Sequence, residues 1–221
     1  MARLNEIFDY KDKTVDENGV LINNLGITDL AFLEEKEREI TSIKLTQLYL
    51  MDTTKYKFDK DHYYSIHKYL FEDIYPFAGK TRNEPISKNF TFCLPQHIEP
   101  NLIQVLKKAN IMYKRVNNKE DLIKFVANLY TDLDFIHAFR EGNGRCEREF
   151  IRQYVKRITK EKGLDNYIIN YKKIQDKKAY TNAIIKADVT CDTTELEKIL
   201  WEITDISPNN SKEETHTPKR R

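Results

Sequence analysis

The sequence is poor in residues that interrupt regular structure and in residues that build cysteine-based sites. It has six glycines and six prolines among 221 residues, which favours long helices over a turn-rich β-architecture. The three cysteines, Cys93, Cys146 and Cys191, are far apart and form no CxxC pair. This spacing argues against a disulfide framework and a cysteine zinc site, and it is typical of a reducing compartment.

Long apolar runs and an excess of charge of one sign are also missing. No hydrophobic stretch approaches membrane-spanning length, and the N-terminus lacks the pattern of a signal peptide. The net charge of +2 is close to balance, whereas binding to a nucleic-acid backbone needs a concentrated basic surface. We therefore expect a cytoplasmic protein that has neither a nucleic acid nor a membrane as its partner.

The residues that are present predict one helical domain. Hydrophobic residues make up 40% and charged residues 33% of the chain, enough for a core and a solvated surface. Apolar side chains recur at helical spacing, most regularly from Lys119 to Ile136. We predict an all-α domain over residues 27–205, an irregular N-terminal arm over 1–26 and a disordered tail over 206–221. The predicted helices span about residues 28–50 (with Thr28 as N-cap), 59–73, 97–116, 119–136, 143–163, 174–187 and 193–204.

One segment is the clear exception to helical periodicity. Residues 86–94, ISKNFTFCL, are rich in β-formers and are followed by Pro95. This composition predicts a short β-hairpin or extended flap. The centre of the flap consists of Ser87, Lys88, Asn89, Phe90, Thr91 and Phe92.

The segment HAFREGNGRCER, residues 137–148, combines features that bind phosphate. Gly142 and Gly144 allow the backbone to come close to a ligand, and the helix that follows directs its free N–H groups and positive dipole end to the same place. Arg145 and Arg148 are three residues apart and project from one helix face. Two guanidinium groups in that arrangement suit a ligand with several phosphates in series.

Two further side chains of this segment add reactive chemistry. Glu141 would repel bound phosphates unless a cation lay between them, so we interpret it as a Mg²⁺ ligand. A neutral imidazole at His137 can take a proton from an incoming hydroxyl. A base, a metal ligand, an anion site and two cations within twelve residues are what phosphoryl or nucleotidyl transfer requires.

Each part of the segment also has a purely structural interpretation. A Gly-Asn-Gly sequence alone is a common turn, and a histidine near a helix end often has only a structural role. Arg145 and Arg148 could form a solvated face with Glu147 and Glu149 as partners. A motif in one sequence is a hypothesis, but the combination favours the functional interpretation.

The same segment resembles the motif of the Fic family, HxFx(D/E)GN(G/K)Rxx(R), whose members are AMP transferases. Every defining position is filled, and the departure is Ala138, where proline is common. The resemblance extends to residues 66–82, with Phe77 where tryptophan is common, and to the flap. It implies the Fic fold, a helical bundle of about seven to eight helices with a short β-hairpin flap.

The resemblance also implies roles for individual residues in the transfer of AMP from ATP to a Ser, Thr or Tyr hydroxyl of a target protein, with release of pyrophosphate. The flap would align the target segment by strand addition. The implied roles are general base for His137, Mg²⁺ ligand for Glu141, anion hole for Gly142, Asn143 and Gly144, binding of the β- and γ-phosphates for Arg145 and Arg148, and a wall of the adenosine pocket for Tyr180.

Several alternatives stay open at this point. Gly142 and Gly144 favour AMP transfer over phosphorylation, because the Doc branch of the family has Ala and Lys there. A nucleotide-binding scaffold with weak or lost transfer, removal of AMP, and transfer of another nucleotide-derived group remain alternatives.

Regulation and location depend on further resemblances. The inhibitory pattern of the family, (S/T)xxxE(G/N), has its nearest match at Thr193 and Glu197, but Lys198 follows where Gly or Asn is expected. We therefore favour a separate, antitoxin-like inhibitory protein, or no inhibition, over self-inhibition. Residues 20–27 resemble the arm of a subgroup that includes bacterial toxins and secreted effectors, which leaves secretion into a host cell open.

Overall fold

The computed structural model describes residues 13–88 and 90–207. Within these ranges the chain forms seven α-helices, with 3₁₀ turns at Tyr113–Arg115 and Tyr171–Lys173. The prediction of an all-α domain is confirmed. The helices are α1 (Leu30–Leu50), α2 (Lys60–Phe71), α3 (Pro95–Met112), α4 (Lys119–Ile136), α5 (Asn143–Lys162), α6 (Lys177–Thr190) and α7 (Thr194–Glu202).

Most helix boundaries follow from capping chemistry. The N-cap of α1 is Asp29 rather than the predicted Thr28, because the Asp29 carboxylate accepts the N–H of Phe32 at 2.8 Å. Helix α3 begins at Pro95, two residues earlier than predicted, because proline is well suited to the first turn of a helix. Helix α4 has the predicted bounds, and Asn118 caps its first turn.

The core is centred on α4 and α5, which pack against each other, while α2 packs on α5 and helices α3, α6 and α7 pack on α4. The apolar stripe of α4 is buried, including Leu122, Val126 and Leu133. Because α4 ends and α5 begins in the middle of this core, the six-residue loop between them is held by packing on several sides.

Strand pairing occurs at a place that the sequence did not indicate. Strands β1 (Tyr167–Ile169) and β2 (Thr204–Ile206) pair antiparallel, with Ile168 opposite Asp205. The expectation that the flap is the one clear non-helical element was therefore wrong. Strands of three residues are too short to show a period of two, and their partners are far apart in sequence.

The flap is a narrow turn rather than a regular hairpin. An isolated bridge joins Ser87 to Thr91, the N–H of Lys88 donates to the Phe90 carbonyl at 3.1 Å, and the N–H of Phe92 donates to the Ile86 carbonyl at 3.1 Å. Asn89, which was predicted to be part of the flap, lies outside the described residues.

The described part of the N-terminal arm is attached to the end of α2. The N–H of Asn24 donates to the Ile74 carbonyl at 2.8 Å. Residues 1–12 and 208–221 lie outside the described ranges, so the beginning of the arm and nearly all of the tail stay predictions. No described helix combines the length and apolarity needed to cross a membrane.

Candidate active site

The loop of residues 137–142 begins and ends with a residue in the left-handed backbone conformation, and the side chain of Asn143 forms hydrogen bonds that close it. His137 ends α4 with a φ of 47°, and Gly142 caps the start of α5 with a φ of 81°. Asn143 accepts the N–H of Phe139 at 2.8 Å and donates to the Phe139 carbonyl at 2.7 Å. The Asn143 side chain therefore closes the loop, and its contribution to an anion hole would come from its main-chain N–H.

His67 of α2 holds the loop from the core side. Its Nδ1 accepts the N–H of Gly79 at 2.9 Å, which leaves Nε2 to donate to the Glu141 carbonyl at 2.9 Å. Its ring stacks on Phe139 with the centroids 3.7 Å apart. Burial is the main reason that the pKa of His67 falls to about 4, so the ring stays neutral and keeps this donor pattern near pH 7.

Arg82 connects the loop of residues 137–142 to both ends of the flap. Its buried guanidinium donates to the carbonyls of His137, Glu84 and Cys93, each at 2.6 Å. Neither His67 nor Arg82 is predicted from the sequence to have a role at this site. A histidine or arginine in a polar segment gives no signal of burial, although both lie inside the stretch that resembles the family.

Replacing Arg82 is expected to loosen this connection. Arg82→Met keeps much of the apolar stem but leaves the carbonyls of His137, Glu84 and Cys93 without this donor, so we expect the free energy of unfolding to fall by about 3–5 kcal/mol. Urea denaturation measures it, with Arg38→Met as control because Arg38 is exposed and forms only a 3.6 Å ion pair with Glu34. Equal stability of the two variants would contradict the structural role of Arg82.

The imidazole of His137 lies in a nearly closed environment. The residue is 7% exposed, and its ring stacks on Phe92 of the flap with the centroids 4.0 Å apart. Burial, reinforced by the positive charges of Lys88 and Arg82, lowers the pKa of His137 to about 3. At neutral pH the ring is uncharged, which is the state that can accept a proton.

A cavity of about 320 Å³ joins the loop to the flap. It contains most of the motif together with the first half of the flap. Phe90, Thr91, Phe92 and Tyr180 do not line it. Its lining residues are Ile86, Ser87, Lys88, His137, Arg140, Glu141, Gly142, Asn143, Gly144, Arg145 and Arg148.

Tyr180 lies in an aromatic cluster on α6 rather than at this cavity. It is 9% exposed, and its ring centroid is 6.3 Å from that of Tyr130 and 6.5 Å from that of Tyr171. Arg148 approaches the same cluster, because its guanidinium carbon is 5.8 Å from the Tyr171 ring centroid. The role of Tyr180 in binding adenosine stays a prediction.

The two arginines of the motif have different surroundings. The buried carboxylate of Glu37, on α1, pairs with Arg145 and accepts the hydroxyl of Tyr75. Arg148 has no hydrogen bond or ion pair with any other residue within 13–88 and 90–207. A Cβ on Gly144 would lie 2.9 Å from Nη1 of Arg148, so the missing side chain leaves room for that guanidinium. Arg148 is thus the cation that is ready for an anionic ligand.

Glu141 has the chemistry of a Mg²⁺ ligand. Its Oε1 accepts the N–H of Gly142 at 2.8 Å and lies 3.4 Å from Arg145. Its side chain is 43% exposed, and Oε2 has no hydrogen bond among the described residues. A half-exposed carboxylate at a cavity with two arginines fits Mg²⁺, which takes one or two carboxylates and the oxygens of phosphates.

Three carboxyl groups lie together beside His137. Asp134, Glu147 and Asp188 have raised pKa values, in each case mainly because of burial. Glu147 is fully buried, and neither of its carboxylate oxygens has a hydrogen-bond partner in the described structure. The alternative in which Glu147 is a partner of the arginines on a solvated face is therefore wrong, because this side of α5 is buried.

This cluster predicts a dependence of stability on pH. Burial and the neighbouring Asp134 raise the pKa of Asp188 from 3.8 to about 9, so the folded state holds a proton that the unfolded state loses between these values. Its contribution to stability is therefore lost as pH rises. Between pH 5 and pH 8, we expect the free energy of unfolding of Asp188→Asn to rise by roughly 2 kcal/mol relative to that of wild type. This value is half of the full linkage effect, because Asp188 is partly exposed. Urea unfolding in a chelating buffer measures this difference, and a constant difference would contradict the shift.

The weak match to the inhibitory pattern consists of Thr193 and Glu197, which interact with each other. The Thr193 hydroxyl donates to the Glu197 carboxylate at 2.6 Å at the start of α7. No hydrogen bond or ion pair joins Glu197 to Arg148 within the described ranges. Glu197 is therefore a carboxylate in the first turn of α7 that pairs with Thr193 and not with the motif.

Comparison with known proteins gives one consistent result. Residues 57–155 match the family model described as the Fic/DOC family. Protein adenylyltransferase VbhT of Bartonella schoenbuchensis is 39% identical over 142 residues, which cover 63% of this chain and 30% of that protein. The probable protein adenylyltransferase y4lH of Sinorhizobium fredii is 33% identical over 96 residues, which cover 42% of this chain and 50% of that protein. The chain thus spans half or less of the length of these relatives.

A solved structure supports the fold. The BepC protein of Bartonella tribocorum, a VirB-translocated effector with bound AMPPNP, has a TM-score of 0.73 and 20% identity, covering 90% of this chain and 99% of that one. An identity of this size shows the fold alone, and the predicted Fic fold is confirmed. The residues matched by the family model run from just before α2 to the middle of α5 and include the flap and the whole motif.

Proposed function

The chain contains a domain of the Fic/DOC family, and on this premise we propose that it is a protein adenylyltransferase. It would transfer AMP from ATP to a Ser, Thr or Tyr hydroxyl of a target protein and release pyrophosphate. The observation that carries the proposal is one cavity that contains the neutral base His137, the Glu141 carboxylate, the start of α5 and the unpaired Arg148.

The relatives support the same chemistry. VbhT is named a protein adenylyltransferase, and y4lH is named a probable one. The structure of the BepC protein, which has a similar fold, contains the ATP analogue AMPPNP. We therefore place ATP in the cavity with its phosphates at the N-terminal end of α5. The free N–H groups of that helix and Arg148 would bind them, and Arg145 would reach them by exchanging Glu37 for a phosphate.

The transfer step can be written in terms of these residues. Nε2 of His137 takes the proton of the target hydroxyl as the oxygen attacks the α-phosphorus. The bond between the α-phosphorus and the oxygen that bridges to the β-phosphate breaks, and pyrophosphate leaves with that oxygen. Glu141 would hold Mg²⁺, which neutralises phosphate charge when bound. Arg148 and the helix N-terminus stabilise the negative charge that develops on the leaving group.

The flap is the proposed platform for the target segment. Its bridge between Ser87 and Thr91 presents an extended backbone next to the cavity, and the stacking of Phe92 on His137 links the platform to the base. An extended target segment would add to the flap through main-chain hydrogen bonds, which select for backbone rather than for sequence.

The two glycines favour transfer of AMP over transfer of phosphate. A Cβ at Gly142 would lie 2.2 Å from Cζ of Phe71, so no larger residue fits there without rearrangement of the loop. The phosphorylating branch has Ala and Lys at these two positions, so its cavity must differ from the one in this chain. A scaffold without transfer is the second candidate, but a buried neutral base at the cavity is of no use to a pure binder.

Labelling with α-labelled ATP tests the proposal. The chain is incubated with a cell lysate, Mg²⁺ and α-labelled ATP, in parallel with Glu141→Gln. The glutamine oxygen can still accept the Gly142 N–H, so the loop keeps its shape while the metal ligand loses its charge. We expect labelled proteins with wild type and at least tenfold less label with the variant. Equal labelling by both proteins would remove Glu141 from the mechanism.

We further propose that a separate inhibitory protein, rather than this chain, occupies Arg148. A second cavity of about 360 Å³ lies beside α1 and is lined by Glu37, Tyr75, Arg145 and Arg148. An acidic side chain from a partner would find Arg148 unpaired there. The purified chain is then expected to be active alone. A silent chain that Glu197→Gly switches on would support self-inhibition instead.

A further inference from the structure

The Nδ1 edge of His137 faces a group of potential metal ligands. One oxygen each of Asp134 and Glu147 and one ring nitrogen of His137 all lie within 4.8 Å of one another. Oδ1 of Asp134 is 3.9 Å from Nδ1. The chain supplies these groups from one place in the core, because Asp134 and His137 end α4 and Glu147 lies on the adjacent part of α5.

A second, independent observation is the lack of partners at buried atoms. His137 is 7% exposed, and its Nδ1 has no hydrogen-bond partner in the described structure. Glu147 is fully buried, and both of its oxygens lack partners as well. Polar groups in a protein interior are normally hydrogen-bonded, and buried charges are paired or coordinate metals.

The cations near this cluster do not satisfy it directly. Arg148 and Lys88 influence the carboxyl groups of Asp134 and Glu147 electrostatically, but neither forms an ion pair with them among the described residues. Asp188, on α6, adds a third carboxyl group close to Asp134, and neither of its carboxylate oxygens has a hydrogen-bond partner among the described residues. The cluster must therefore hold protons, or a metal ion must replace them.

We propose that Asp134, His137 and Glu147 form a binding site for a divalent transition-metal ion, with Zn²⁺ as the best match. One imidazole nitrogen and two carboxylates are a ligand set that Zn²⁺ uses in proteins, whereas Mg²⁺ prefers oxygen ligands and retains water. Ligand atoms around Zn²⁺ are roughly 3–3.5 Å apart, so the three side chains close by about 1 Å on binding.

The site is distinct from the Mg²⁺ position at Glu141 and has a different effect. A metal ion on Nδ1 leaves the one proton of the neutral imidazole on Nε2. Nε2 then donates a hydrogen bond and no longer accepts the proton of a target hydroxyl. Zn²⁺ would therefore switch off the base. This consequence rests on the proposed function, whereas the binding of Zn²⁺ does not.

The first experiment measures binding without any reference to activity. The full chain is stripped with a chelator, dialysed and titrated with Zn²⁺ alone in a calorimeter. Wild type is expected to bind one ion per chain, Glu147→Gln to bind at least about tenfold more weakly, and Glu141→Gln to keep wild-type affinity. No uptake by wild type, equal affinity of Glu147→Gln, or a matching loss in Glu141→Gln would overturn the proposal. Thermal melting confirms that each variant is folded, and Asp134→Asn provides a second ligand variant.

The second experiment compares each protein with itself in the presence and absence of Zn²⁺, at saturating Mg²⁺. Transfer by wild type is expected to fall at least tenfold at the Zn²⁺ concentration that saturates the calorimetric site. The remaining transfer by Glu147→Gln is expected to be unchanged at that concentration. Equal inhibition of both proteins would overturn the link between the site and the base. If no protein transfers AMP at all, the proposed function fails while the calorimetric result stands.

Discussion

His137→Ala is expected to lower the rate of AMP transfer by about 10²–10⁴-fold, the usual contribution of a general base. The ring is buried against Phe92, is neutral near pH 7 and lines the cavity that contains Glu141 and Arg148. The binding of ATP should change much less, because the proposed contacts of its phosphates are with the start of α5 and the arginines. Initial rates with α-labelled ATP, and the affinity for an ATP analogue that has a methylene group in place of the oxygen between the α- and β-phosphates, separate the two effects.

His97→Ala is a suitable control, because His97 is exposed on α3 and has no role in the cavity. Melting temperatures of both variants identify any general loss of folding, since the alanine also removes the stacking on Phe92. If His137→Ala labels proteins as well as wild type does, the assignment of the base is wrong.

Gly142→Ala is expected to lower the free energy of unfolding by about 2–5 kcal/mol. Gly142 has a φ of +81°, and an added Cβ would lie 2.2 Å from Cζ of Phe71. Phe71 cannot retreat, because it is fully buried and its ring packs against His67 and Tyr75. The loop itself must therefore shift, and AMP transfer should fall together with stability.

Gly163→Ala separates the two causes. Gly163 ends the same helix with a φ of +61°, but an added Cβ there would meet nothing within 4 Å. Only the left-handed conformation is then unfavourable, which corresponds to about 1–2 kcal/mol. Urea denaturation of both variants gives the contribution of the clash with Phe71 as a difference. Equal losses would show that the loop tolerates the methyl group.

Local sequence signals were sufficient for the helices and for the composition of the site. The apolar stripe of α4 and its cap at Asn118 define a helix with little ambiguity, and the structure has the predicted bounds. The residues of the motif are adjacent in sequence, so a single turn between two helices brings His137, Glu141 and Arg148 to one cavity. Such features can be predicted because the residues that interact are close to one another in the sequence.

Long-range contacts could not be predicted in this way. Glu37 pairs with Arg145 across 108 residues, and Arg82 donates to the carbonyl of His137 across 55. Both contacts depend on the packing of helices or loops that no local pattern specifies. The side chain of Asn143 is a related case, because nothing in the motif indicates that it closes the loop instead of facing the cavity.

The burial of Glu147 in the acidic cluster could not be predicted from local sequence either. Glu147 lies between charged residues in a motif with two arginines, so its sequence context suggests a solvent-exposed face. Helical geometry places it one residue from Arg148 but on the side of α5 that faces α4 and α6. Its burial beside Asp134 and His137 emerges only from the arrangement of three helices.

The central claim is that the α-phosphate of ATP, with its adenosine, becomes attached to a protein. The most direct measurement is a pair of parallel reactions of the purified chain with lysate and Mg²⁺, one with α-labelled and one with γ-labelled ATP. Among the bands that appear only when the chain is added, transfer of AMP predicts bands with the α-label and none with the γ-label, and the loss of these bands with His137→Ala. Bands with the γ-label that depend on the chain, or α-labelled bands that persist in His137→Ala, would contradict it.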